Sequence, residues 1–377
     1  MASGSYSDVA RPVTAPDFLL SRHTGSLRTQ GALRGFTDPA DAALALRSGD
    51  CDLVVGAIGF EPDAPAALVE PDIVVRTDGP LEPPAYFRAM RTRARVAGER
   101  PSASEHRRRV SDTLAGVRAG GPAKVVLARA VHLEAEDDLI DPHAVCATLI
   151  DSSPAADGYL VDLSPAGGRH TGRVLVGSSP ELLVRRRGDL VECHPLAGSA
   201  PRSGDPVADQ AAGRALRASA KDVSEHAFVV DWLTHTLGPL CSDLEIPEHP
   251  TLTSTREMWH LGTRIRGRIT DPRTTALDLA LAVHPTPAVC GTPTDQARRV
   301  IAGVEGHRGF YAGAVGWADG NGDGDWMVTI RCAEISADRR GATAWAGGGL
   351  VADSDPDAEV AETGAKLRTV LKAFGAA

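Results

Sequence analysis

Apolar and polar positions change rhythm several times along the chain, and each change marks an element. Pro122-Ala-Lys-Val-Val-Leu-Ala-Arg-Ala-Val-His-Leu133 is β-branched and apolar, the pattern of a strand buried on at least one face. Asp52-Leu-Val-Val-Gly-Ala-Ile-Gly59 and the short runs at 173–177 and 181–184 read as further strands. Arg186-Arg-Gly-Asp189 supplies a turn into Leu190-Val-Glu-Cys193, which predicts a hairpin. Residues 311–317 and 326–335 predict a second hairpin, and 343–351 another strand. Helical spacing covers 207–240, 276–283 and 357–374. The basic stretch 88–109 has little apolar periodicity and predicts a solvated, peripheral helix. Hairpin-joined strands with helices between them predict an α+β fold (an α/β sandwich) with large antiparallel sheets. A doubly wound parallel sheet would need regular βαβ alternation. No short-period repeat or linker breaks the 377 residues, so a single large domain is expected.

Composition narrows the function. With 42% hydrophobic and 24% charged residues the chain is globular. Its 40 Lys+Arg against 49 Asp+Glu leave a net charge of -9, which argues against general nucleic-acid binding. No apolar run approaches the roughly 18 residues of a membrane span. The start, MASGSYSDVARPVTAPDF, lacks the basic segment and apolar stretch of a secretory leader. Cys51, Cys146, Cys193, Cys241, Cys290 and Cys332 stand singly, forming neither a disulfide framework nor a CxxC zinc site. A soluble cytoplasmic protein is expected.

Familiar chemical motifs fail on inspection. Asp319-Gly-Asn-Gly-Asp-Gly-Asp325 begins like a calcium loop, but position twelve is Ile330 and strands flank it, so a polar hairpin tip is expected. Trp345-Ala-Gly-Gly-Gly-Leu lacks the GxGxxG spacing, Gly121-Pro-Ala-Lys124 is no P-loop, and neither HExxH nor GxSxG occurs. Gly347, Gly348 and Gly349 can still offer backbone N–H groups to an anion.

Seven charged residues need an explanation. At about 100° per residue, Glu225 shares its helix face with Phe228, Val229, Trp232 and Thr236, so its carboxylate must be protonated, salt-bridged or bound to a cation. Glu359, Glu362 and Lys366 lie together beside the apolar stripe of the closing helix, either as an ordinary i,i+4 pair or as a charged edge facing a pocket. Lys124 opens an apolar strand and is either a desolvated general base or a snorkelling lysine. Glu181, in Gly177-Ser-Ser-Pro-Glu-Leu-Leu, is either a protonated general acid or an edge charge. Arg331 alternates with Met327 and Thr329 along the expected 326–335 strand, and its guanidinium suits a substrate or a protein carboxylate.

Taken together, these segments resemble the chorismate-utilising enzymes: isochorismate synthases, salicylate synthases, and the anthranilate and aminodeoxychorismate synthases. The matching stretches are Lys124-Val-Val-Leu-Ala-Arg129, Gly177-Ser-Ser-Pro-Glu-Leu-Leu183, Pro195-Leu-Ala-Gly-Ser199 and Lys221-Asp-Val-Ser-Glu-His226. They continue in the family's order through Trp259-His-Leu261, His284-Pro-Thr-Pro-Ala288, Thr329-Ile-Arg-Cys332 and Glu362-Thr-Gly-Ala-Lys366. Nearer the N-terminus, Val55-Gly-Ala-Ile-Gly-Phe-Glu-Pro62 matches more loosely.

The resemblance implies two large antiparallel sheets packed together with helices outside, in a single domain. Residues 1–115 would add N-terminal strands and peripheral helices, and 116–377 would form the chorismate-binding catalytic region. It implies chorismate as substrate and Mg²⁺ held by Glu225, Glu359 and Glu362. Lys124 matches the general base that activates water, and Glu181 the general acid at the departing C4 hydroxyl. Arg331, Lys366, Tyr311 and the N–H groups around Gly347 and Gly348 match the cradle for the enolpyruvyl carboxylate, with Ser199 and His260 lining the same pocket. Ala288 stands where salicylate synthases usually carry Thr, which favours stopping at isochorismate. The implied enzyme is an isochorismate synthase serving siderophore or menaquinone synthesis, a monomer with no glutaminase subunit. The alternatives are a salicylate synthase and a silent chorismate-binding protein.

Overall fold

A computed structural model describes residues 15–376. Residues 1–14, where a leader was sought, and residue 377 lie outside the described residues. Among the described residues the strands form sheets of ten, nine and three, and every pairing is antiparallel. The two-sheet architecture expected from the sequence is therefore present. In the ten-stranded sheet, Lys124–Ala135 and Gly341–Leu350 pair along their length, followed by Cys332–Ile335, Val174–Gly177, Gly158–Asp162 and Phe18–Arg22. The nine-stranded sheet places Leu182–Arg187 between Leu190–His194 and Gly324–Val328.

The two sheets bury their facing sides in one core, with Leu20, Val161 and Leu175 from one and Val55, Val315 and Met327 from the other. The opposite side of the ten-stranded sheet is covered by helices Pro142–Ser152 and Pro356–Ala373, whose Leu149, Leu367 and Val370 pack on Val131, Leu133 and Ala344. A strand covered on both faces has no solvent side, which is why Lys124–Ala135 reads as a continuous apolar run. No helix among the described residues is long and apolar enough to cross a membrane.

Three expected elements differ. The basic helix at 88–109 is a short helix Ala85–Ala89, a strand Ala94–Arg100 and a helix Ala103–Arg118. Pro101 cannot continue a helix and disfavours helical backbone at Arg100, while the free edge of Lys124–Ala135 offers the intervening residues a ladder. Nor is this region simply solvated, since Val110 and Leu114 of the third element are fully buried. The helix at 207–240 is two, Pro206–Ala218 and Ala220–Leu237. Ser219 divides them, its hydroxyl accepting the Asp222 N–H as the N-cap of the second. Finally, the 326–335 strand breaks at Thr329–Ile330–Arg331. Gly324–Val328 lies in the nine-stranded sheet and Cys332–Ile335 in the ten-stranded one, so Arg331 sits at a crossover and does not alternate along a strand. Its φ of 52° is a left-handed value uncommon for a non-glycine residue.

Candidate active site

The crossovers between the sheets and the starts of two helices converge on one cavity. Helix Pro356–Ala373 begins with Asp355 capping Ala358 N and Pro at its first position. The next turns present Glu359, Glu362 and Lys366 toward strand Gly341–Leu350. Glu362 and Lys366 do form the i,i+4 pair, but it is not an ordinary surface pair. The Lys366 amine also donates to Gly347 O at 2.8 Å, and Ser199 Oγ donates to Glu362 Oε1 at 2.9 Å.

Lys124 does not snorkel. Its exposure is 0%, and Nζ stands 3.1 Å from Glu225 Oε1. Glu225 occupies the buried stripe of helix Ala220–Leu237 with Val229, Leu233 and Leu237. Of the three fates open to its carboxylate, ion pairing with Lys124 is the one realised in this structure. The pair fits because Gly349 has no side chain, as a Cβ there would lie 2.2 Å from Glu225 Oε1 and 3.0 Å from Lys124 Cε.

Glu359 is 2% exposed. Oε1 accepts from Ser354 Oγ at 2.8 Å and faces Lys221 Nζ at 3.1 Å, while Oε2 has no partner. Burial and the neighbouring Glu362 push this carboxyl above its ordinary range. Sequence reasoning left Lys221 without a role. Its amine lies 3.7 Å from Asp222 and 4.0 Å from Glu225 as well as against Glu359. Burial opposes its charge, yet Glu359, Glu225 and Asp222 outweigh that and raise its pKa. The i,i+4 spacing of Lys221 and Glu225 was the available signal.

Glu181 lies across the cavity, at the crossover between strands Val174–Gly177 and Leu182–Arg187. Its exposure is 2% and Oε1 is unpartnered. Burial pushes its carboxyl up to about 7, against the opposing pull of a backbone hydrogen bond at Leu196 and of Lys124, Lys366 and Arg331. Arg331 reaches His260 Nε2 from Nη2 at 3.4 Å and leaves Nη1 without a partner. Burial brings its guanidinium down to about 10. His260 is held neutral by burial and by the adjacent Arg331 and Lys366. Tyr311 stacks on Trp345 with ring centroids 5.8 Å apart.

Glu181, Arg331, His260, Tyr311, Ala288 and Ser199 line this cavity together with Glu225, Gly347, Glu362 and Lys366. Lys124, Gly348 and Glu359 are not in its wall. Lys124 stands behind Glu225, and Gly348 faces Glu359, whose Oε2 would lie 2.6 Å from a Cβ at that glycine. The strand's two-residue period turns Gly348 away from the side that Gly347 and Gly349 share. Glu225, Glu359 and Glu362 offer hard oxygen donors, and the orphaned Glu359 Oε2 has a lone pair to give, so the chemistry fits a hard divalent cation. Among the described residues these groups are not already drawn into a coordination shell, since Lys124, Lys221 and Lys366 supply the positive charge.

Comparison with known proteins gives concordant matches. The family described as "Chorismate binding enzyme" matches residues 81–375. A Mycobacterium tuberculosis protein provisionally named isochorismate synthase MenF is 50% identical over 364 residues, covering 96% of each chain. Isochorismate synthase DhbC of Bacillus subtilis is 44% identical over 330 residues, covering 86% of this chain and 81% of its own. Among solved structures, a Bacillus anthracis protein provisionally described as the 2,3-dihydroxybenzoate-specific isochorismate synthase DhbC superposes with a TM-score of 0.87. It shares 34% identity over 96% of both chains.

Proposed function

Because the chain belongs to the chorismate-binding enzyme family, we propose that it is an isochorismate synthase, converting chorismate reversibly to isochorismate by adding water at C2 and releasing the C4 hydroxyl. The carrying observation is a carboxyl that burial keeps protonated near neutral pH, Glu181, facing the same cavity as Glu225 with Lys124 behind it and two cations at its rim. Glu181 donates its proton to the departing C4 oxygen. Lys124, shielded from bulk water, accepts the proton of the attacking water. Its Nζ stands 3.1 Å from Glu225 Oε1, so it meets the attacking water only when Glu225 is engaged elsewhere. Arg331 has a free Nη1 for a substrate carboxylate, and Lys366 adds a second positive charge. A magnesium ion held by Glu225, Glu359 and Glu362 would neutralise the ring carboxylate and draw electron density from the attacked carbon.

Water as nucleophile calls for no ammonia-supplying subunit, and the enzyme works as a monomer. All six cysteines are free and buried, which suits a reducing cytoplasm. Whether it serves a siderophore or a menaquinone route, the product is the same. The test is to incubate the protein with chorismate and Mg²⁺ and resolve the products by chromatography. Isochorismate alone supports the reading. Salicylate with pyruvate would replace it, and unchanged chorismate would leave only a binding role.

A further inference from the structure

Four adjacent strands of the ten-stranded sheet bring their ends to one place. Phe18–Arg22 ends at Arg22, Gly158–Asp162 is preceded by Asp157, Val174–Gly177 runs into Ser178 and Ser179, and Cys332–Ile335 is preceded by Arg331. Arg22 and Asp157 are each 7% exposed, and the Arg22 guanidinium faces Asp157 Oδ1 at 3.1 Å. The same Nη1 donates to Ser179 O at 3.3 Å. Ser178 Oγ donates to Asp157 O at 2.7 Å, and Ser178 N donates to Arg331 O at 3.1 Å. Ser179 Oγ then accepts the Glu181 N–H at 3.2 Å.

A buried ion pair is a poor way to gain stability, because desolvating both charges consumes most of the attraction. This one does something more local: it clamps the Ser178-Ser179-Pro180 crossover from which Glu181 projects. The Glu181 carboxyl has an unpartnered Oε1, so beyond the backbone hydrogen bond at Leu196 little on its own side chain fixes its direction. Its placement is inherited from the backbone.

We infer that Arg22, backed by Asp157, is a positioning residue for the reaction. It fixes the crossover on the sheet-end side and so aims Glu181 at the departing hydroxyl, although it lies outside the segments that carry the family's motifs. The inference rests on the proposed function and extends it to the N-terminal strand. Arg331 is tied to the crossover by the Ser178 N–H and not by the Arg22 side chain, so substrate anchoring is separable from acid placement.

The experiment compares R22M and R22K, alone and in an E181Q background, for isochorismate formation from chorismate with thermal melts alongside. A misplacement of about 1 Å can cost on the order of 100-fold in rate, so R22M should lose roughly 10- to 100-fold in kcat with KM within about threefold. R22K keeps the charge but not the fork, and falls between R22M and the wild type. Added to E181Q, R22M should cost less than about threefold more, since the group it positions is already disabled. A kcat for R22M within threefold of the wild type overturns the inference. So does a rise in KM without a fall in kcat, or a full extra loss on the E181Q background. Should R22M fail to fold, R22K decides: kcat at least about threefold below the wild type at unchanged KM supports the inference, and a wild-type kcat overturns it. A wild-type protein that leaves chorismate unchanged overturns the functional reading itself, and this inference with it.

Discussion

Gly349→Ala tests the heart of the site with a single methyl group. Gly349 lies in strand Gly341–Leu350 opposite Val126, and its backbone has no left-handed φ, so alanine suits the conformation. The added Cβ would stand 2.2 Å from Glu225 Oε1, 2.9 Å from its Cδ and 3.0 Å from Lys124 Cε. An ordinary carbon–oxygen contact is about 3.3 Å, so the carboxylate must move by roughly 1 Å, and the lysine paired with it must shift too. Both clashing groups end long side chains that can give way, so the fold loses little, about 1–3 kcal/mol for overpacking. Catalysis has no such latitude, and a displacement of that size should lower kcat about 100-fold. The assay is initial-rate isochorismate formation with Mg²⁺ in excess, with a thermal melt of the same preparation. A variant that melts near the wild-type temperature and turns over within threefold of it would refute the claim that the Lys124–Glu225 pair must occupy this spot.

Other expectations follow from the same geometry. Lys124→Ala and Glu181→Gln should each lower turnover by orders of magnitude while the protein still melts cooperatively; near-normal rates in either would remove the acid–base assignment. Burial raises the Glu181 carboxyl from 4.5 to about 7, so kcat should fall as pH rises past 7, with that limb missing in Glu181→Gln. Between pH 4.5 and 7 the folded protein keeps a proton that the unfolded chain releases, so the Glu181 contribution to stability is intact below 4.5 and lost as pH climbs through 7. The melting temperature of Glu181→Gln should therefore gain on the wild type across that window. Chelation with EDTA should abolish turnover and added Mg²⁺ restore it, and activity that survives exhaustive chelation would remove the cation from the site. Buried Arg308 donates to Val126 O and Val289 O and pairs with half-buried Glu305, so Arg308→Met should cost about 3–5 kcal/mol in denaturant unfolding, by stranding the glutamate and the two carbonyls.

Much of the site was legible because its chemistry is local. Glu225 sat on an apolar helical face, Glu362 and Lys366 were one turn apart, and Lys124 opened an apolar strand; these anomalies need only the helical and strand periods to detect. The two-sheet class was legible for a similar reason, since hairpin spacing and antiparallel patterning are written in neighbouring residues. What the helix could not say was which partner Glu225 would take, because Lys124 lies about a hundred positions earlier and only the tertiary placement of the helix beside the start of strand Lys124–Ala135 brings them within 3.1 Å. The crossover at Arg331 was hidden because both halves of 326–335 are strand-like, and a change of sheet leaves no mark on the two-residue period. Lys221 looked like any surface lysine until three carboxylates gathered around it. Arg22 lay outside every motif, and its role depends on four strand ends meeting. Sequence determines periods and caps, which are short-range energies. Tertiary structure decides which charges share a desolvated space, and so which are acids, which are bases and which merely hold them in place.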